Sequence, residues 1–87
     1  MPGIARVNLD TAGGTIVGAL APTVFVNGKP IAVKGAAVAG HGTAAHAGPV
    51  MAQHSATVFA EGIPVCRRGD QATCGHPATG SGNVFAG

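Results

Sequence analysis

Five residues in this chain are the candidate metal ligands: His41, His46, His54, Cys74 and His76. Four residues separate His41 from His46, 27 more follow, and then Cys74 and His76 flank a single glycine. A tetrahedral Zn²⁺ takes imidazole nitrogen at about 2.0–2.1 Å and thiolate sulfur at about 2.3 Å, and two ligand pairs on separate pliable loops can meet it. Gly40, Gly42 and Gly75 supply the pliability. A closed site of three His and one thiolate would carry a local charge of about +1, and its binding free energy would count toward folding. Three imidazoles and a thiolate also suit other borderline cations, iron among them. His54 directly precedes a Thr-Val-Phe stretch, so an ordinary surface role competes with ligation there and it stands as an alternate.

Catalysis by such an ion would need an open coordination position, a general base and a concave pocket. The only carboxylates are Asp10, Glu61 and Asp70. Glu61 falls in a turn, and Asp70 follows Gly69, where a carboxylate commonly accepts turn N–H groups. Neither a nucleophile elbow nor a phosphate loop is present. The chain therefore reads as non-enzymatic, with a small zinc-dependent enzyme or metal-binding domain as the alternative from another class.

The elements that must position these ligands come from 87 residues, 46% hydrophobic but only 3% aromatic and 9% charged, with 15 Gly. That is one domain, residues 1–87, with a core of small Ala and Val side chains. At roughly 25 cal/mol per Å² such a core contributes little per residue, and scaffolds of this size usually need a staple. Arg6, Lys29, Lys34, Arg67 and Arg68 are scattered, and the absence of Tyr and Trp removes most stacking surface, so nucleic acid is not an expected partner. The charge-free stretch 11–28 is broken by Gly13, Gly14, Gly18 and Pro22, so it reads as neither a membrane span nor a secretory signal. A chain that starts in a reducing cytosol disfavours pairing of Cys66 with Cys74. Cys66 reads as a buried hydrophobe.

The positioning elements repeat. Residues 22–35 align without gaps on residues 56–69, matching at Thr, Val, Phe, Gly, Pro and the closing Gly. A third copy is split, with Gly82-Asn-Val-Phe-Ala-Gly87 as one half and the segment around Ile4-Ala-Arg-Val-Asn8 as the other. The repeats are therefore expected at about 20–36 and 54–70, with the third divided between 80–87 and 2–10, and with no appended effector domain. Each unit reads as a β-hairpin. Asn27-Gly28 is a strong two-residue turn sequence, Glu61-Gly62 a weaker copy, and the prolines just beyond them confine the strands to edges or bulges. Phe25, Phe59 and Phe85 occupy equivalent places and are expected to fill the core. The fold class expected is all-β, built of short antiparallel strands, with the metal candidates in the connections between repeats.

Val24-Phe-Val-Asn-Gly-Lys-Pro-Ile-Ala-Val33, Val58 to Asp70, Thr73-Cys-Gly-His76 and Gly80 to Gly87 together resemble the PAAR-repeat proteins, though the tetrapeptide itself is degenerate as Pro30-Ile-Ala-Val33 and Pro64-Val-Cys-Arg67. The resemblance implies a small three-sided cone with Zn²⁺ near its point, its ligands falling on His41, His46, Cys74 and His76. It also implies a wide base seated on a trimeric β-helical spike, either the VgrG trimer of type VI secretion systems or the central spike of a contractile phage tail. Expected with it are a membrane-piercing role, transient contact with the target membrane, possible noncovalent effector cargo, and a cytoplasmic protein later exported on the spike or carried on a tail. Three quasi-equivalent units in one chain would present a near-threefold face, which is how a monomer could match a threefold partner.

Overall fold

Asn27 and Gly28 adopt φ +53° and +79°, and Glu61 and Gly62 adopt +51° and +80°. These are the two consecutive positive φ values of a type I′ turn, whose twist suits a tight hairpin. The computed structural model describes residues 1–87, the side chain of Ala45 excepted. Its strands are short: β1 (Thr11–Ala12), β2 (Gly14–Thr15), β3 (Ala21–Val26), β4 (Lys29–Ile31), β5 (Phe59–Ala60) and β6 (Ile63–Pro64). They pair antiparallel as β1–β2, β3–β4 and β5–β6. The only helical turn among the described residues is a 3₁₀ turn at Ala44–His46, and no helix there is long and apolar enough to cross a membrane.

The second hairpin copies the first in register. Phe25 pairs with Pro30 and Val26 with Lys29, just as Phe59 pairs with Pro64 and Ala60 with Ile63. A bulge between Ala21 and Phe25 absorbs the irregularity in β3. Near the termini the same pattern recurs: Gly3 bridges Phe85, Ile4 N–H donates to Val84, and Ala86 N–H donates to Pro2.

A closed ring of backbone hydrogen bonds joins the three units. Ala5 N–H donates to Cys66 at 3.0 Å, Cys66 N–H to Ala32 at 2.9 Å, and Ala32 N–H to Ala5 at 3.0 Å. Three antiparallel bridges frame it, Ile4 to Arg67, Arg6 to Ile31 and Val33 to Val65. All three ring residues are fully buried, and only small side chains fit where three strands converge on one axis. On the hairpin side Val26, Ile31, Val33, Ala60, Val65 and Ala86 form one apolar cluster, and on the loop side Val7, Ala12, Ile16, Val38, Met51 and Ala72 form a second, which the side chains of Ala5, Ala32 and Cys66 join. The expected all-β, three-sided fold is what forms, within 32 × 22 × 22 Å.

One expectation fails. Phe25, Phe59 and Phe85 are not core residues but are 59%, 55% and 50% exposed. Side chains alternate along a strand, and the residues that flank each phenyl in sequence, Val24 and Val26, Val58 and Ala60, and Val84 and Ala86, pack on the hairpin-side cluster, so the phenyl between them points out. Three phenyl rings would not fit beside a ring of Ala and Cys, whereas Val and Ala do.

Two of the three units carry an Arg–Asp clamp at the turn after the ring. Asp10 accepts from Arg6 N–H (2.8 Å), Nε (2.7 Å) and Nη2 (3.1 Å), and Asp70 accepts from Arg67 N–H (2.8 Å), Nε and Nη2 (both 2.9 Å). Asp70 thus has the turn-capping role its sequence position suggests. In the remaining unit, that of β3–β4, Val33 and Ala36 take the corresponding places, both buried and joined by the same backbone bond.

Candidate metal centre

Two loops and one tight hairpin build the site. The first loop follows β4 and is tied to β2 by a bond from Ala39 N–H to Thr15, then closes on itself as His41 N–H donates to His46 (2.9 Å) and His46 N–H to Thr43 (3.0 Å). The second is pinched by the Gln71–Pro77 bridge and by bonds from Ala72 N–H to His76 and Gly75 N–H to Ala72. Gly75, at φ +89°, turns the chain so that Cys74 and His76 face the same way. Thr79 anchors the far end of this loop, its hydroxyl donating to Asp10 (2.8 Å) and accepting from Thr11 N–H (3.1 Å). Burial would raise the Asp10 carboxyl, but its bonds from Arg6 and Thr79 and the Arg6 charge outweigh that and hold it below the usual carboxylate range.

These loops bring His41, His46, Cys74 and His76 together, with one ligand atom from each lying within 4.8 Å of all the others. The three imidazole centroids form a near-equilateral triangle of 4.9, 5.0 and 5.1 Å. His41 Nδ1 donates to the Ala39 carbonyl at 3.1 Å, which leaves the lone pair on Nε2, and that atom lies 3.2 Å from His46 Nδ1. Ligand nitrogens about 2.0–2.1 Å from a tetrahedral ion stand roughly 3.3–3.4 Å apart, so this pair already has near-ligating separation. His76 Nδ1 is buried with no hydrogen-bond partner. A buried polar atom without a partner is costly, and a cation among the four donors would satisfy it. The residues present therefore fit a metal ion. His41, His46, Cys74 and His76 would hold it, and it would supply a crosslink between loops far apart in sequence.

His54 lies outside this cluster. Its Nδ1 donates to the Ser55 carbonyl (2.8 Å), and its own carbonyl accepts from Arg67 Nη2 (3.1 Å). Cys66 is likewise apart, a free and fully buried thiol. Burial, reinforced by the Asp70 charge and opposed by Arg67, pushes it up to about 12, so it is an inert hydrophobe at neutral pH. Cys74 is also free and packs on the loop-side core cluster.

The β1–β2 hairpin is the part of the site that residue types alone did not reveal. The Ala12 carbonyl accepts from Cys74 Sγ at 3.8 Å, Gly13 abuts His41 and His76, and Gly14 abuts Ala39 and His41. The Gly-Gly pair was the available sign, since glycine in a strand marks close approach of another group. A search of curated proteins found no match. A family model for the PAAR motif, however, matches residues 9–77 and, overlapping them, residues 39–87. With the all-β fold, the clustered histidines and cysteine, and a match extending over residues 9–87, the chain belongs to the PAAR-motif family, whose role is that of a spike tip in contractile injection systems.

Proposed function

We propose that this chain is a non-enzymatic, zinc-stabilised tip that caps and sharpens the trimeric β-helical spike of a type VI secretion system, seated on a VgrG-like trimer. The observation that carries the reading is the placement of Phe25, Phe59 and Phe85, each at the same register position of its unit and each half or more exposed. Exposed apolar side chains in a near-threefold set suit the end of a threefold partner, whose terminal strand edges need covering. Their neighbours in the strands pack on a different cluster from the one that Cys74 packs against, so in this reading docking there leaves the His/Cys loops free to lead. Zn²⁺ is the ion this reading assigns, because a closed His/Cys donor set is the common structural zinc arrangement. In this reading the protein is made in the cytoplasm and leaves on the spike, meeting the target membrane only transiently.

Sedimentation of the chain with a purified VgrG trimer tests it. One chain per trimer is expected, with binding lost when Phe25, Phe59 and Phe85 are together changed to Ser. If the triple variant stays folded and binds as well as the parent, the phenyl face is not the docking face. Binding to a phage central spike in preference to VgrG would assign the tip to a phage tail.

A further inference from the structure

We infer that Gly13, supported by Gly14, is a positioning residue of the metal centre: its missing side chain sets how close His41 and His76 stand to the ion. The inference rests on the reading of the His/Cys cluster as a metal site. A Cβ built on Gly13 would lie 1.9 Å from His76 Nδ1 and 2.5 Å from His41 Nε2. One of these atoms is the buried nitrogen without a partner, and the other is the nitrogen left with its lone pair by the Ala39 bond. The backbone of Gly13 is thus the wall on which two of the four donors rest. Any side chain there would push both rings away from His46 and Cys74.

Gly14 acts through a second contact. A Cβ on it would lie 2.2 Å from the Ala39 carbonyl oxygen and 3.0 Å from His41 Nδ1. It would displace the acceptor that fixes the His41 tautomer, and such partners orient the ligand and raise its basicity. The two glycines differ in backbone demand. Gly13 sits at φ +86°, where an L side chain is strained in any case, whereas Gly14 has no positive φ.

That difference allows strain to be separated from crowding. Gly69 has φ +91° and open space where its Cβ would be, so Gly69→Ala carries the backbone strain alone. Zn²⁺ affinity is measured on the full chain by competition with a chromophoric chelator, and the Co²⁺ derivative reports ligand geometry by its visible absorption. Gly13→Ala should bind Zn²⁺ at least tenfold more weakly and alter the Co²⁺ spectrum, while Gly69→Ala matches the parent in both. Parental affinity and spectrum in Gly13→Ala, or an equal loss in Gly69→Ala, overturns the inference. Should Gly13→Ala fail to fold by circular dichroism, Gly14→Ala decides in its place, and parental values there overturn it equally. If the unaltered chain binds neither Zn²⁺ nor Co²⁺, the metal reading itself fails and this inference falls with it. The two failures are therefore distinct in the data.

Discussion

The hairpin side of the molecule repeats one local rule three times, whereas the loop side, which carries His41, His46, Cys74 and His76, contains no repeat. On the hairpin side two units close through neighbouring residues and the third through its paired termini, and the Ala5–Ala32–Cys66 ring then ties the units together. The loops have only scattered backbone bonds and donors drawn from two distant stretches of chain. Local turn chemistry is enough to define the first region. The second gains its crosslink only if the ion is present, so the two should respond differently to its removal.

The largest expected effect is loss of that crosslink. Zinc binding adds about 4 kcal/mol of apparent stability when free zinc is a thousandfold above Kd. Cys74→Ala, or a strong chelator, should remove a contribution of that order. Hydrogen exchange should then show protection falling at the amides of 39–47 and 72–76 well before those of β3–β4. Equal loss in both regions would mean that they fold as one unit and would erase the contrast.

A change at the boundary should be intermediate. Ala32→Leu places extra volume in the ring, whose side chains pack in the loop-side cluster while its backbone bonds join the hairpin units, and overpacking of this kind costs about 1–3 kcal/mol. Because the ring belongs to both regions, chemical denaturation with zinc present or absent should show the same loss. A loss confined to the zinc-free protein would place the ring in one region only.

Asp10→Asn sharpens the comparison through pH. The Asp10 carboxyl titrates below the ordinary aspartate value of about 3.9. Its contribution is therefore complete at neutral pH and is lost as pH falls from about 4 through the lower folded value. In chelator-treated protein the variant should lose about 1–3 kcal/mol at pH 7, and the loss relative to the parent should shrink below pH 4. A difference that is constant from pH 7 to 3 would show that the Arg6–Asp10–Thr79 contacts contribute through shape rather than charge.

The smallest effect should be at Phe59. Exposed substitutions away from special contacts usually stay within about 0.5 kcal/mol, so Phe59→Ser should leave thermal unfolding nearly unchanged. A drop of several kcal/mol would show that the phenyl ring belongs to the core after all.

The repeats were legible because a Thr-Val-Phe stretch followed by a Gly turn states strand and turn in adjacent residues, as at Asn27-Gly28. The four clustered donors were legible because His and Cys are scarce elsewhere and sit in the connections. The direction of the phenyl rings was not legible, since strands with two or three paired residues give too short an alternation to say which face is inside. What decides it is the narrowness of the axis at Ala5, Ala32 and Cys66, a long-range property. The role of Gly13-Gly14 was hidden for the same reason. It depends on His41 and His76, which approach from 27 residues or more away in the chain, and no local pattern encodes that approach.

The three-bond ring also has a kinetic consequence. Its members, residues 5, 32 and 66, are widely separated along the chain, so two long loops must close before the third bond can form. Loop-closure entropy has to be met before those contacts return anything. The fold is therefore one of high contact order despite its small size, and its refolding is expected to be slow for 87 residues, with the hairpins forming early and ring closure setting the rate.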